Sequence, residues 1–142
     1  MRDLTIAMPK GRLFSSITEM LREAGFLQSN LEDDSRKLIL RDAQSGFRFI
    51  LAKPTDVPTY VEYGAADLGV VGKDVLLEER KEVCELLDLG LGYCRLVVAV
   101  KESSNIHDLS QIPIDGRVAT KYPRITGEYF LSRGMQVDLI KL

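Results

Sequence analysis

The chain has 142 residues, 45% of them hydrophobic, and its 19 basic residues against 21 acidic ones leave a net charge of -2. This composition is globular and long enough for one core, or for one domain plus part of another; without a basic run or tail it excludes a protein that grips nucleic acid by its phosphates. No segment approaches the roughly 18 consecutive apolar residues that cross a bilayer, and the first apolar run is too short for a secretory signal, so the expected location is cytoplasmic with no membrane partner.

Residues 4–8 are a short apolar run stopped by Pro9, which predicts a buried strand. A helix follows from about Leu13, its apolar positions Leu13, Ile17, Met20, Leu21 and Ala24 recurring at three and four residues, with Gly25 suited to the position just past its end. Residues 28–36 are polar and read as a loop, and residues 37–41 and 47–53 as strands of an antiparallel hairpin around the turn composition of 42–46. Thr55 or Asp56 can cap a short helix with Pro58 in its first turn and Gly64 at its close. Residues 67–72 predict a small buried strand, and a helix follows over about 74–81.

Beyond Glu82 the pattern changes to glycine-punctuated strand runs over 84–91 and 93–100. A first α/β domain over 1–90 and a second, partial one over 91–142 are expected. In the second, Ser104 or Asn105 can cap a helical turn through Leu109; 117–120 reads as a strand, 124–133 as a helix ended by Gly134, and 137–142 as a last strand. The chain is expected to be incomplete at its C-terminus. Cys84 and Cys94 lack the CxxC spacing or a neighbouring histidine, which fits a reduced interior better than a metal or redox site.

Three groups of residues could carry chemistry. Pro9-Lys10-Gly11-Arg12 stands where a strand hands over to a helix, and reads either as a solvated basic turn or as an anion site off the carboxyl end of a strand. Arg36, Lys37 and Lys53 flank the hairpin strands, so several cations can converge on the face that holds Lys10 and Arg12, an arrangement suited to a polyanionic small molecule. Gly64, Asp67, Gly69, Gly72 and Asp74 surround the small strand; the glycines either admit a flat ligand or serve packing, and Asp74 can accept hydrogen bonds from a sugar or base. His107, the single histidine, lies in a polar loop, so zinc hydrolysis is disfavoured, and no serine has a nucleophile-elbow context.

Taken in order, the segments 6–13, 35–38, 56–62, 64–74, 92–96 and 117–123 closely resemble the catalytic subunit of the ATP phosphoribosyltransferase family, the first enzyme of histidine biosynthesis. The resemblance implies a two-domain fold like that of type II periplasmic binding proteins, with the active site in the cleft between domains. It implies attack of N1 of ATP on C1 of phosphoribosyl pyrophosphate, with release of pyrophosphate and with magnesium carried mainly on that pyrophosphate. Position by position, it implies catalytic roles for Arg12 and Arg36 and substrate binding by Lys10, Gly11, Lys53, Asp67, Gly69, Gly72, Asp74, Cys94, Thr120 and Tyr122.

At Lys53 the family often has arginine, so charge is kept while a bidentate fork is lost. Family members continue past the strand ending at Leu142 into an acidic residue and a glycine- and threonine-rich phosphate loop. The wording of the motifs is closer to the short form of the family, which implies homo-oligomers and hetero-oligomers with a regulatory subunit resembling histidyl-tRNA synthetase. The other reading is a non-catalytic solute-binding or effector-sensing module on the same fold.

Overall fold

All five residues of β1 (Thr5–Pro9) are buried, because the strand has a neighbour on each edge and a helix on each face. The computed structural model describes residues 4–28 and 37–142, and these fall into two units, Met1–Tyr93 and Cys94–Leu142. In the first, β1, β2 (Ile39–Arg41), β3 (Arg48–Ala52) and β4 (Leu68–Gly69) form a sheet in the order β2-β3-β1-β4. β3 runs parallel to β1 with Thr5 opposite Arg48 and Pro9 opposite Ala52; β4 runs parallel to β1 with Ile6 opposite Leu68; and β2 closes an antiparallel hairpin on β3.

Alternate residues of a strand face opposite sides, and β1 uses this to serve two cores. Ile6 and Met8 join Phe49 and Leu51 of β3 under α1 (Phe14–Glu23), whose Phe14 and Ile17 complete the cluster with Leu27. On the other face Ala7, Ala52 and Ala66 meet Val57 of α2 (Val57–Glu62). That second face is lined by small side chains, and Gly69 extends it: a Cβ there would lie 2.9 Å from both Val57 Cγ1 and Val61 Cγ2. The glycine lets α2 rest on the sheet.

Local signals hold the ends in place. Past α1 the Phe26 N–H donates to Leu21 O at 2.8 Å and the Gly25 N–H to Arg22 O at 3.0 Å, with Gly25 at φ 77°, the double bond that ends a helix on a left-handed glycine. In the hairpin turn Asp42 is fully buried, its carboxylate accepting the Ser45 N–H at 2.8 Å, and its backbone pairs with Gly46 and Phe47. The α2 helix starts after a 3-10 turn at Pro54–Asp56, with Asp56 at its N-cap without a side-chain cap bond, and α3 (Lys73–Glu79) comes after β4.

The second unit is a parallel pair, β5 (Arg117–Thr120) and β6 (Asp138–Lys141), joined through α4 (Pro123–Leu131). Gly127 admits β6 to the helix, since a Cβ there would lie 3.2 Å from Leu139 Cδ1.

Three expectations are corrected. Residues 67–72 do not form a buried strand: only Leu68 and Gly69 pair, at the sheet's edge, and both are exposed. The runs 84–91 and 93–100 form no strand among the described residues and lie largely at the surface; an apolar run becomes a strand only where another strand completes its ladder. The single turn expected from Ser104 or Asn105 is two 3-10 turns, Glu102–Ser104 and Leu109–Gln111, with Asn105 left-handed at φ 54° between them and Asp108 capping the second.

Candidate functional site

The parallel strands β1 and β3 end together, and each runs directly into a basic residue. Lys10 continues the ladder one residue past β1, its N–H donating to Ala52 O at 2.9 Å, and on the neighbouring strand Ala52 is succeeded by Lys53. Gly11 then turns the chain at φ 101°, a value that side chains rarely adopt, and its carbonyl accepts the Phe14 N–H at 2.9 Å to open α1. No atom lies within 4 Å of where a Cβ would stand, so glycine is needed here for conformation and not for space. Arg12 is presented to solvent, with no ion pair among the described residues.

The β4 side reaches the same edge. The Val70 N–H donates to Ala7 O at 2.9 Å, and the chain passes through Val71 to Gly72, the N-cap of α3. Asp74, in the first turn of that helix, turns its carboxylate back over Gly72, so that a Cβ at Gly72 would collide with it. Lys10, Gly11, Arg12, Lys53, Gly72 and Asp74 are therefore brought to one edge, the carboxyl edge of three parallel strands, from which helices start. That is where an open α/β sheet takes its ligands, and three cations with helix N–H groups behind them suit phosphate.

Two of the expected residues have other work. Asp67 lies at the opposite, amino end of β1, its carboxylate accepting the Thr5 N–H at 2.9 Å while its own N–H donates to Thr5 O at 2.8 Å. Four residues of strand, about 13 Å, separate Thr5 from Pro9. Gly69 faces Val57 and Val61 and is occupied by helix packing. Arg36 lies outside the described residues.

In the second unit, Thr120 ends β5, and its hydroxyl meets Thr126 Oγ1 at 3.0 Å and accepts the Tyr122 N–H at 3.0 Å. It ties the strand end to the first turn of α4, with Tyr122 at the N-cap and Pro123 in the first helical position. These residues too stand at a carboxyl edge. Cys94 is exposed and on no element.

The shifted acids lie elsewhere. Glu62, at the end of α2, is held below the usual glutamate range chiefly by the Glu82 N–H it accepts at 3.0 Å, helped by Lys81 at 3.4 Å and opposed by some desolvation. Asp108 is lowered by the Ser110 hydroxyl and N–H, at 2.6 and 2.8 Å. The His107 N–H donates to Gln111 Oε1 at 2.6 Å as part of the same cap. Lys73, which no motif in the sequence singles out, opens α3 at the basic edge and pairs with Glu85; only a helix start placed against the other strand ends makes it visible.

Comparison with known proteins identifies the family. The sequence profile of the HisG family, ATP phosphoribosyltransferase, matches residues 53–142. An ATP phosphoribosyltransferase of Halothermothrix orenii is 48% identical over 144 residues, covering 100% of this chain and 65% of that protein, and one of Bacillus licheniformis is 51% identical over 141, covering 99% and 64%. Among solved structures, the ATP phosphoribosyl transferase (HisG:HisZ) complex from Thermotoga maritima superposes with a TM-score of 0.66 at 26% identity, over 98% of this chain and 64% of that one. The chain thus spans just under two thirds of the length of these relatives. A mixed α/β unit with a basic carboxyl edge, a profile match over more than half of the sequence and relatives at about half identity lead to one assignment: this chain belongs to the HisG family of ATP phosphoribosyltransferases.

Proposed function

We propose that the protein transfers the phosphoribosyl group of phosphoribosyl pyrophosphate to N1 of ATP, releasing pyrophosphate, as the first step of histidine biosynthesis. The observation that carries the reading is the basic turn Lys10-Gly11-Arg12, fixed by the Lys10–Ala52 hydrogen bond beside Lys53 at the carboxyl edge of the first sheet. Both substrates are polyphosphates, and the reacting ribose gains positive charge as the pyrophosphate departs. A catalyst of this step must align two anions and stabilise the leaving group, and needs no dedicated general base.

In this mechanism Arg12 and Arg36 take leaving-group charge, Lys10 and Lys53 position phosphates, the Gly11 turn brings backbone close to them, and Gly72 with Asp74 borders the nucleotide. Thr120, Tyr122 and Cys94 are the second domain's share of substrate binding, and the architecture is a type II periplasmic-binding-protein-like pair of domains. Asp67 fastens the amino end of β1 through its clasp on Thr5 and Gly69 seats α2, so both serve the frame and neither touches substrate in this mechanism. Magnesium would arrive on the pyrophosphate and, when bound there, would neutralise leaving-group charge.

The Thermotoga maritima neighbour is a HisG:HisZ complex, and the same kind of hetero-oligomer, with a regulatory subunit resembling histidyl-tRNA synthetase around a homo-oligomer, is proposed for this protein, in the cytoplasm. Incubating the intact polypeptide with ATP, phosphoribosyl pyrophosphate and magnesium should produce the absorbance of phosphoribosyl-ATP. Absence of product with the regulatory partner supplied would overturn the reading.

A further inference from the structure

Lys73 is the first residue of α3 and comes directly after Gly72, so it stands where the β4 side of the sheet joins the edge that carries Lys10, Arg12 and Lys53. Its ammonium meets the carboxylate of Glu85 in an exposed ion pair, the lysine side chain 62% and the glutamate 42% accessible. Glu85 lies on neither helix nor strand. It belongs to the stretch after α3 that Glu62 fastens to α2, through the Glu82 N–H at 3.0 Å and Lys81 at 3.4 Å. The pair therefore links a cation of the basic edge to a segment without a ladder of its own.

We propose that Lys73 is a further anion-binding cation of this edge, parked on Glu85 until a polyphosphate takes it, so that Glu85 is an internal competitor for the ligand. The proposal rests on the transferase reading of the edge and adds to it a regulated cation. An exposed lysine–glutamate pair is weak and screened by salt, whereas a polyphosphate brings several charges to the lysine's three rotatable donors. The flexible four-carbon stem allows the exchange without moving the helix. A further cation on this edge adds to the positive charge gathered there, and Glu85 offsets it. Binding of the anion then releases the segment after α3 from its pairing with Lys73.

The test is a double-mutant cycle read by calorimetry, titrating the intact chain with inorganic pyrophosphate as wild type, Lys73→Gln, Glu85→Gln and the double variant. Lys73→Gln should weaken binding about fivefold and Glu85→Gln should tighten it about two- to threefold, while the double variant binds like Lys73→Gln because Glu85 acts through Lys73. Unchanged affinity in Lys73→Gln overturns the proposal. So does a tightening by Glu85→Gln that persists once Lys73 is gone, since Glu85 would then be a plain repulsive charge. A wild-type chain that forms phosphoribosyl-ATP while the cycle shows no coupling loses the competitor and keeps the transferase; coupling without product does the reverse.

Discussion

The β1-to-β3 region and the β5-α4-β6 region use the same device, parallel strands with a helix starting just past a strand's carboxyl end and closed by a left-handed glycine, Gly25 at φ 77° in one and Gly134 at φ 68° in the other. They differ in what is covered. β1 has strands on both edges and helices on both faces, and two clusters of side chains are removed from water around it. β5 has one strand beside it among the described residues, and Phe130 is the single buried side chain of that unit there. The same local rules therefore bury two clusters in one place and one side chain in the other, because burial scales with the number of layers and not with the number of elements. The basic turn belongs to the more deeply buried frame, where cations must be held against their mutual repulsion.

The largest expected effect tests that contrast directly. Phe49→Ala should destabilise the chain by about 3–5 kcal/mol, the range for emptying a tight core, and Phe130→Ala by clearly less, because the surroundings of α4 can close over the gap. Denaturant melts of both variants, with hydrogen exchange showing β5 and β6 amides opening before those of β1 and β3, would sharpen the comparison; equal losses would break it. Next, Arg12→Ala and Arg36→Ala should each lower turnover by about one to three orders of magnitude, if each charge supplies roughly 1.4–4 kcal/mol in the transition state. Unchanged melting with lost turnover in Arg12→Ala would separate the edge's chemistry from its frame, and wild-type turnover would remove that arginine from the mechanism.

Gly11→Ala should cost about 1–2 kcal/mol, the strain of forcing a side chain into a left-handed turn, and should weaken phosphate binding as the Lys10-to-Arg12 geometry relaxes; an unchanged melt would show that the turn tolerates a side chain. The smallest effect concerns the acids. The folded pKa of Glu62 is depressed, so its stabilising contribution is present above the ordinary glutamate value, about 4.3, and is lost as pH falls through its lower folded value. The stability gap between wild type and Glu62→Gln should therefore narrow as the solution is taken from neutral pH to below that ordinary value. Asp108→Asn should behave alike on a smaller scale, since Asp108 secures only a 3-10 turn. A gap that stays constant with pH would deny Glu62 its hold on the Glu82 N–H.

How much of the fold is legible in the sequence depends on which forces are local. The strand before Pro9, the helix ended by Gly25, the 42–46 hairpin turn and the Gly134 stop each rest on a few neighbouring residues, and each can be read from them. The runs 84–91 and 93–100 mislead because apolar character marks a segment as fit for a sheet without showing that a partner strand is there. Asp67 and Asp74 look alike in the sequence, seven residues apart around a small strand. Only the register, with Ile6 opposite Leu68, shows that one lies at the amino end of the sheet and the other at the carboxyl edge. Gly69 likewise announces that something comes close, but not that it is Val57 and Val61 and not a ligand.

The layer of alanine and glycine beneath α2 also sets a height. Ala7, Ala52, Ala66 and Gly69 hold the helix near the strands, and the bend from Lys53 through Pro54–Asp56 is the ramp by which the chain climbs from β3 to that helix. A bulkier residue at any of the four positions would lift α2, tilt the ramp and carry Lys53 away from Lys10. The spacing of charges along the basic edge is thus governed by residues on the far side of the sheet's own thickness, and a binding defect can arise from a methyl group that no ligand ever touches.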